Sequence, residues 1–326
     1  MSGNLLEISG LNVRFSGART VHAVNDLDLS LRAGEVLTIL GESGSGKSVT
    51  LKALLRLLPE RRTTIGGAMT VDGIDVMRLK GKALSDYRGN TVSMIFQEPG
   101  LALDPVYTIG DQIVEAVRRH KPMSRAAARD VALDMLKRVR IPSAESRLKN
   151  YPHEMSGGML QRAMIALALA CKPKLLLADE PTTALDATVQ IQVLLLLREL
   201  QKEFGMSVVL VTHDIGVAVE VSDRIAVMYG GNIVEEGTTE EIIRDPRHPY
   251  TRGLLAANLH GVKRGVRLDA IAGSPPPLTT KPDCCAFAPR CSQAMPACTQ
   301  ALPPFFRPGP RRRVACLLEE TRTADT

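Results

Sequence analysis

Residues 41–48 read "GESGSGKS", which fits the pattern G-x-x-x-x-G-K-[ST]. The stretch follows the apolar run "EVLTIL" (35–40) and opens "KSVTLKALLRLL" (47–58), whose apolar spacing predicts a helix. Glycines let backbone N–H groups close around phosphate oxygens, and the helix N-terminus adds a favourable dipole. Lys47 then reaches the β- and γ-phosphates, while the Ser48 hydroxyl coordinates Mg²⁺. The stretch therefore predicts a phosphate-binding loop between a strand and a helix.

A second motif, "LLLADE" (175–180), ends a buried strand with two acidic residues. Asp179 is placed to hold Mg²⁺ through its water shell, and Glu180 to activate a water for attack on a γ-phosphate. Taken alone, the pair could equally be solvated acids where a strand ends. The phosphate loop upstream favours the interpretation as a metal-binding and catalytic pair.

Three further polar motifs follow the same logic. The stretch "MSGGMLQR" (155–162) places Ser156 and exposed backbone N–H groups before a helix, which makes a second anion site. Gln97 in "IFQEP" follows a strand from which it can reach a metal, and His213 in "VLVTHD" ends another strand, where it can contact a γ-phosphate. A lone Gln or His at a strand end is usually structural. The functional interpretation of Gln97 and His213 therefore depends on their order and spacing relative to the other motifs.

The surrounding pattern predicts an α/β fold. Two continuous apolar stretches, "KLLLAD" (174–179) and "SVVLVT" (207–212), are strands on either side of a helical stretch (187–204). Such strands are typical of a parallel sheet that is buried on both faces. The segment "RIAVMYGGNIVEEG" (224–237) predicts a hairpin, and residues from about 108 to 171 have helical spacing.

Composition and charge narrow the class of protein. The 326 residues are 44% hydrophobic and 23% charged, and the net charge of +6 comes from basic residues spread along the chain. This distribution gives no reason to expect a nucleic-acid partner. The N-terminal stretch (1–15) shows no secretory signal, and apolar runs such as "AMIALALAC" (163–171) are half of the roughly 18 residues that span a bilayer. We expect a cytosolic protein, in which clustered cysteines indicate metal more often than disulfides.

The order of these motifs over about residues 4–258 resembles the ATP-binding cassette (ABC) transporter ATPases. The resemblance implies a P-loop (RecA-like) ABC ATPase core with an antiparallel β subdomain and a helical subdomain at about 98–168. The nucleotide-binding domain would then be residues 1–258, and a Cys-containing irregular C-terminal extension would cover 259–326. Two such subunits sandwich two ATP molecules, and each signature motif faces the nucleotide of the other subunit.

The same resemblance assigns roles residue by residue. The catalytic residues implied are Glu180, His213 and Gln97. Mg²⁺ would be held through Ser48 and Gln97, with Asp179 nearby. The other residues implied to bind nucleotide are Phe15, Gly41, Ser43, Gly44, Ser45, Gly46, Lys47, Ser48 and Val49. Those implied to meet the partner subunit are Ser156, Gly157 and Gly158 of the signature and Asp186 of the D-loop, "TALD" (183–186).

Two features of this assignment are less regular. Met159 stands where the signature usually has Gln, and Thr183 where the D-loop usually has Ser. Both variants are associated with the peptide-importer branch of the family, and neither removes Glu180 or His213. Phe15 is at the position of the aromatic residue that stacks on adenine, but Val21 or His22 could contribute there and Phe15 could simply be a core residue.

The C-terminal stretch differs in texture from the rest. It contains the Pro-rich "GSPPPLTTKP" (273–282) and too little apolar periodicity for a large core, so it needs a metal site or a surface to lie on. The motifs "DPRHPYTRGLL" (245–255) and "CAFAPRC" (285–291) are similar to the extension of oligopeptide/dipeptide importer ATPases, which in some members carries a [4Fe–4S] cluster. That resemblance implies a cluster on Cys285, Cys291, Cys298 and Cys316.

Cysteine spacing alone leaves iron–sulfur, zinc and free thiols open. Cys284 is an alternative ligand to its neighbour Cys285, whereas Cys171 is expected to be a buried apolar residue.

The resemblance as a whole implies the ATP-hydrolysing subunit of a di-/oligopeptide importer on the cytoplasmic face of the membrane. The expected partners are two membrane permease subunits, a second related ATPase in a heterodimer, and an extracytoplasmic peptide-binding protein. The alternative is the same ATPase serving an importer of nickel, opines, glutathione or short sugars. A cassette ATPase of DNA repair or translation would carry a coiled-coil insertion or a second cassette, and this sequence shows neither. A GTPase would carry the guanine-binding motif N-K-x-D, which is also absent from the sequence.

Overall fold

The computed structural model describes residues 3–182, 185–258 and 271–320. Within these ranges the chain folds into two β-sheets and a set of helices. The strands are β1 (Asn4–Phe15), β2 (Val21–Arg32), β3 (Val36–Leu40), β4 (Thr63–Val71), β5 (Ile74–Asp75), β6 (Val92–Ile95), β7 (Leu175–Asp179), β8 (Ser207–Thr212), β9 (Arg224–Tyr229), β10 (Asn232–Thr238), β11 (Phe306–Gly309) and β12 (Arg312–Val314). The α-helices are α1 (Lys47–Leu54), α2 (Gly81–Asp86), α3 (Pro99–Ala102), α4 (Ile109–His120), α5 (Arg125–Arg138), α6 (Ala144–Arg147), α7 (Gly157–Leu169), α8 (Ala187–Phe204), α9 (Ile215–Val221), α10 (Thr239–Arg244) and α11 (Pro249–Asn258).

The larger sheet has the strand order β11-β12-β10-β9-β3-β8-β7-β6. Its centre, from β9 to β6, is parallel, and every residue of β3, β7 and β8 is buried. The prediction of a parallel sheet buried on both faces is therefore confirmed. Helices cover it because apolar side chains alternate to both faces of a strand and each face must be shielded from water.

The register of this sheet brings the predicted motifs to one edge. Leu40 at the end of β3 is paired with Thr212 at the end of β8, and Asp179 at the end of β7 is paired with Val211. The carboxyl ends of parallel strands meet at the same side of a sheet, which is where α/β proteins bind their ligands. The phosphate loop, Glu180 and His213 all begin immediately after these strand ends.

The smaller sheet is antiparallel, in the order β2-β1-β4-β5. Phe15 at the end of β1 is paired with Val21 at the start of β2, so these two residues occupy the same corner of the sheet. Apolar residues alternate along β1, and the buried set includes Leu6, Ile8 and Leu11. This face packs on β3 and α1 in one apolar cluster, which fixes the corner beside the phosphate loop.

Helices α3 to α7 occupy the stretch between β6 and β7. Along α4, Ile109, Ile113 and Val117 recur at four-residue spacing and are buried, as expected for one face of a helix. They pack with Leu136 of α5 and Ile165 of α7 in a second apolar cluster. This cluster continues onto the sheet, so the helices are fixed relative to the strand ends.

The C-terminal stretch differs from the irregular extension that the sequence predicts. Much of residues 271–320 is turn and short 3₁₀ helix, but β11 and β12 extend the larger sheet antiparallel to β10. Val314 is paired with Glu235, and the Ala315 N–H donates to the Val234 carbonyl at 2.8 Å. The outer edge of β10 would otherwise present unpaired backbone groups, and β12 satisfies them.

Candidate active site

Two glycines of the phosphate loop, Gly41 and Gly46, lie so close to neighbouring strands that a Cβ at either position would clash with backbone. A Cβ on Gly41 would lie 2.2 Å from the Met228 carbonyl oxygen of β9. Gly46 has φ +106°, and a Cβ there would lie 2.3 Å from the Ala23 carbonyl oxygen of β2. The loop is therefore seated between the two sheets, and its backbone can approach a ligand without side chains in the way.

Lys47, the first residue of α1, lies over this loop. Its Nζ donates to the carbonyl oxygens of Gly41 at 2.7 Å and Glu42 at 2.8 Å. The side chain is buried, and burial lowers the pKa of Lys47 because it disfavours the charged form. Both acceptors are neutral carbonyls, so the charge of the ammonium group remains available to an anion.

Ser48 and Asp179 form the oxygen-rich part of the site. The Ser48 hydroxyl donates to Asp179 Oδ1 at 2.6 Å. Burial raises the pKa of Asp179, and the hydrogen bond from Ser48 opposes this shift. A hydroxyl, a carboxylate and the amide oxygen of Gln97 are the hard ligands that Mg²⁺ prefers, with phosphate and water completing its shell. These residues fit a magnesium ion bound together with a triphosphate.

Glu180 stands at the centre of the predicted catalytic group. Gln97 Nε2 donates to Glu180 Oε2 at 3.2 Å, and His213 Nδ1 lies 3.3 Å from Glu180 Oε1. The backbone of Glu180 is left-handed, with φ +45°, and its N–H donates to the Val211 carbonyl at 2.9 Å. A non-glycine residue in this conformation is strained, and such strain is concentrated at functional sites.

A cavity of about 840 Å³ opens over the loop and the three catalytic candidates. Two of the residues predicted to bind nucleotide, Ser45 and Asp179, do not line this cavity, and both are buried. The others predicted to bind nucleotide do line it. The predicted residues that line it are Phe15, Gly41, Ser43, Gly44, Gly46, Lys47, Ser48, Val49, Gln97, Glu180 and His213. The lining residues absent from our predictions are Ala23, Glu42, Leu254, Ala257, Ile271 and Leu278, whereas Val21, an alternative to Phe15, is present.

The signature residues lie elsewhere. Ser156 is the N-cap of α7, where its hydroxyl accepts from the Met159 N–H, and both Ser156 and Gly157 are exposed. Asp186 caps α8 in the same way, accepting from the Val189 N–H at 3.1 Å. A Cβ on Gly158 would be 3.4 Å from Val189 Cγ1, so the starts of the two helices are neighbours. Thr183 lies outside the described residues.

Comparison with known proteins identifies the chain. The model of the ABC transporter family matches residues 24–183, and that of the oligopeptide/dipeptide transporter C-terminal region matches residues 234–298. A putative peptide import ATP-binding protein of Brucella melitensis is 48% identical over 298 residues, which covers 87% of this chain and 88% of that protein. The chain belongs to the ATP-binding subunits of the oligopeptide/dipeptide ABC transporters. A second relative of this importer ATPase is the dipeptide transport ATP-binding protein DppD of Bacillus subtilis. It is 47% identical, with 87% of this chain and 85% of DppD covered.

Solved structures agree with the fold of this importer ATPase. The dimeric ATP-binding cassette MJ0796, bound to ADP and phosphate in a post-hydrolysis state, is 30% identical with a TM-score of 0.65, covering 72% of this chain and 98% of that one. The expected P-loop ABC ATPase core and the expected ATP hydrolysis are thereby confirmed. No helix in the described part of the chain is long and apolar enough to cross a membrane.

The prediction of an iron–sulfur cluster in this importer ATPase is wrong, and the described residues of the tail offer no site for another metal either. Across residues 3–182, 185–258 and 271–320, no group of three or more His, Cys, Asp or Glu side chains is arranged to hold a metal ion. Cys285, Cys291, Cys298 and Cys316 are free thiols that line a pocket of only about 20 Å³. Burial raises the pKa of Cys316 to about 11, which keeps this thiol protonated at neutral pH.

The tail of this importer ATPase is fixed by packing instead. Phe287 packs against Tyr229 and Tyr250, with ring centroids 5.2 Å and 5.3 Å away. Together with the pairing of β12 on β10, this gives the extension the surface that its composition requires. Cys171 is buried, as expected of an apolar core residue.

Proposed function

We propose that this ATPase drives the uptake of di- or oligopeptides as a peripheral subunit at the cytoplasmic face of the membrane. The observation that carries the proposal is the contact of Glu180 with Gln97 and His213 beside the phosphate loop. Peptide as the cargo is supported by relatives, among them the oligopeptide transport protein OppD of Salmonella typhimurium, which is 46% identical.

In the proposed mechanism the loop N–H groups and Lys47 bind the phosphates of ATP. Ser48, Gln97 and Asp179 would hold Mg²⁺, which when bound neutralises negative charge on the phosphates. Glu180 accepts a proton from the attacking water as that water bonds to the γ-phosphorus, and ADP leaves. Its contacts with Gln97 and His213 hold the carboxylate in place for this transfer.

The base and ribose would lie at the corner where β1 ends and β2 begins. Phe15 and Val21 both line the cavity there, and Phe15 is half-buried against the neighbouring apolar cluster. An aromatic face at this place can stack on adenine, and Val21 adds an apolar contact beside it.

Ser156, Gly157, Gly158 and Asp186 are proposed to serve the nucleotide of a second ATPase subunit. They are absent from the cavity lining, and Ser156 and Gly157 are exposed at the N-terminus of α7, where backbone N–H groups favour an anion. A head-to-tail dimer would bring this helix end to the partner's γ-phosphate. The second subunit is proposed to be a related chain, so that the pair is a heterodimer.

The membrane subunits are proposed to dock beside Gln97. The residues on either side of it expose large apolar side chains: Phe96 before it and Leu101, Val106 and Tyr107 after it, with Leu101 83% exposed. Apolar patches of this kind mark protein interfaces. Two permeases bound here would link the catalytic group to the membrane, and a peptide-binding protein would reach the assembly from the other side.

The division of the chain into an ATPase domain (1–258, with a helical subdomain at about 98–168) and an extension (259–326) is also a proposal. Helices α3 to α7 support the subdomain. The extension has regular elements of its own, β11 and β12, which pair onto β10 of the larger sheet. The proposed boundary lies between residues 258 and 259, and residues 259–270 lie outside the described residues.

The test is reconstitution of the complete importer in vesicles, with release of phosphate and uptake of a labelled dipeptide measured together. Glu180→Gln should lower both rates at least about 100-fold while ATP affinity stays within about twofold, because the proton acceptor is lost and the phosphate contacts remain. Glu240→Gln, at an exposed ion pair with Arg244, is the matched control and should leave both rates unchanged.

Two outcomes would contradict parts of the proposal. Turnover by Glu180→Gln at the wild-type rate would exclude Glu180 as the proton acceptor. ATP-dependent uptake of nickel, an opine, glutathione or a short sugar, without uptake of peptide, would leave the ATPase role intact and replace the cargo.

A further inference from the structure

The C-terminal extension reaches the phosphate loop through one arginine. Arg290, within "CAFAPRC", donates from NH1 to Glu42 Oε2 at 2.8 Å and from NH2 to Glu42 Oε1 at 3.1 Å. The Arg290 side chain is 7% exposed and that of Glu42 is 24% exposed. Glu42 is the second residue of the phosphate loop, so a bidentate ion pair joins residues that are 248 positions apart.

Every N–H of the guanidinium is used. Besides the two bonds to Glu42, Nε donates to the Ala272 carbonyl at 2.9 Å, NH2 to the Ile271 carbonyl at 3.2 Å and NH1 to the Tyr229 hydroxyl at 3.2 Å. Five donors thus meet five acceptors, which is the full capacity of an arginine. A lysine has three donors on a point charge and could not reproduce this arrangement.

Glu42 is held by all of its polar groups. Its carboxylate receives Arg290, its N–H donates to the Tyr250 hydroxyl at 2.9 Å, and its carbonyl accepts from Lys47 Nζ at 2.8 Å. Tyr250 belongs to α11 and is fully buried, so it is a rigid support. Glu42, the second residue of the phosphate loop, is therefore fixed by Tyr250 and Arg290, which both lie in the C-terminal part of the chain.

The same part of the extension also lines the cavity. Ile271, whose carbonyl accepts from Arg290, and Leu278 both face it. The Leu278 carbonyl accepts from the His22 N–H at 2.7 Å, which places the Pro-rich stretch along β2 next to Val21. Arg290 thus connects the phosphate end of the site to a segment that borders its other wall.

A purely structural role would make the ion pair an anchor for the extension. Charges removed from water regain little net stability from pairing, because desolvation offsets their attraction. The extension also has β12 and the aromatic contacts of Phe287 as anchors. The pairing of β12 and the contacts of Phe287 do not involve the phosphate loop. The ion pair with Arg290 does, because it fixes the side chain of Glu42.

We propose that Arg290 is a positioning residue of the ATP site, which holds the phosphate loop through Glu42 and makes the C-terminal extension set the affinity for nucleotide. This inference rests on the proposed binding of ATP at this loop. The loop contacts ATP and the transition state alike, so losing its position weakens binding of both equally and appears in KM rather than in kcat.

The experiment measures KM and kcat for ATP hydrolysis by the assembled importer, ATP binding by calorimetry, and the unfolding temperature. Arg290→Gln is expected to raise KM about tenfold with kcat within about twofold, which corresponds to the loss of one charge-assisted contact. Arg290→Lys should lie between this variant and the wild type. Glu42→Gln should match Arg290→Gln, and the double variant should be no worse than either, because both remove the same interaction.

Arg307→Gln is the matched control, since Arg307 is an exposed arginine of the same extension that lies away from the cavity. Its KM should be that of the wild type. An unchanged KM in Arg290→Gln, with a lower unfolding temperature, would overturn the proposal and leave Arg290 as an anchor. If Arg290→Gln does not fold, an unchanged KM in Glu42→Gln overturns it equally. Failure of the wild type to bind ATP would instead refute the proposed function.

Discussion

At the scale of single residues, His248 is an ionisable side chain whose pKa is shifted by burial. Its side chain is 1% exposed, its backbone N–H donates to Glu235 Oε2 at 2.9 Å, and its Nδ1 accepts from the Tyr250 N–H at 3.0 Å. Burial, helped by the charge of Arg252, lowers the pKa of His248 to about 3. The imidazole is therefore neutral in the folded protein at neutral pH.

The low pKa of His248 predicts that the folded protein loses stability in mild acid. The unfolded chain binds a proton at His248 below about pH 6.5, whereas the folded chain does not until about pH 3, so stability falls as pH falls through that window. The contribution amounts to about 2 kcal/mol between pH 7.5 and pH 5. Urea unfolding at both pH values measures it.

His248→Asn is the variant for this comparison, because asparagine keeps an acceptor for the Tyr250 N–H but does not titrate. Its stability should change less between the two pH values than that of the wild type, by about the same 2 kcal/mol. Equal pH dependence in the two proteins would show that other groups cause the acid effect.

At the scale of elements, the phosphate loop owes its shape to both sheets. Gly41 meets the backbone of β9 and Gly46 that of β2, so neither approach is visible in the loop sequence itself. The helix α1 that follows ends at Leu54, earlier than the predicted end at residue 58, because Arg56 has φ +52° and its N–H donates to the Ala53 carbonyl. Local apolar spacing could not reveal that turn.

Gly46→Ala is expected to lower ATP affinity at least about tenfold, because its Cβ would lie 2.3 Å from the Ala23 carbonyl oxygen and displace the loop. The control is Gly34→Ala. Gly34 also has a positive φ, of +74°, but a Cβ there meets nothing within 4 Å. It should cost about 1 kcal/mol of stability and leave ATP affinity unchanged. Calorimetric titration with ATP would decide, and equal affinities in the two variants would exclude the steric argument.

At the scale of the whole molecule, buried charges join the sheet to the extension. Arg224 of β9 pairs with Glu35 at 3.1 Å and with Glu236 of β10, and Glu236 also pairs with Arg313 of β12. Arg311 of the extension reaches Glu35 as well. The network joins Glu35 and the strands β9 and β10 to residues 311–313 of the extension. Ion pairs as well as strand pairing therefore attach the extension to the larger sheet.

Glu236→Gln should destabilise the protein by about 3 kcal/mol, because it leaves buried guanidinium groups of Arg224 and Arg313 without their shared carboxylate. Glu240→Gln, whose ion pair with Arg244 is exposed, should change stability by less than about 0.5 kcal/mol. Denaturant unfolding of both variants measures the difference. A similar small change in both would mean that the network is not needed to hold the extension.

Much of the fold could be predicted from local pattern. The helix at 187–204 and the strand at 207–212 have the predicted bounds, and the hairpin at 224–237 turns between Tyr229 and Asn232. Apolar periodicity and glycine position carry enough information for such elements, since each depends on neighbours a few residues away. The phosphate loop and the strand-end acids follow from the same local chemistry, and relatives confirm the family.

The cysteine motif shows where the sequence was insufficient. Four cysteines indicated a cluster, yet their arrangement holds no metal-binding group within the described residues, and the arginine between Cys285 and Cys291 contacts the phosphate loop instead. The sequence alone determined the motifs, the elements and the family, because these depend on residues close along the chain. Only the tertiary structure brought Arg290 to Glu42, β12 to β10 and Ile271 to the cavity, because each of these contacts depends on how distant segments pack.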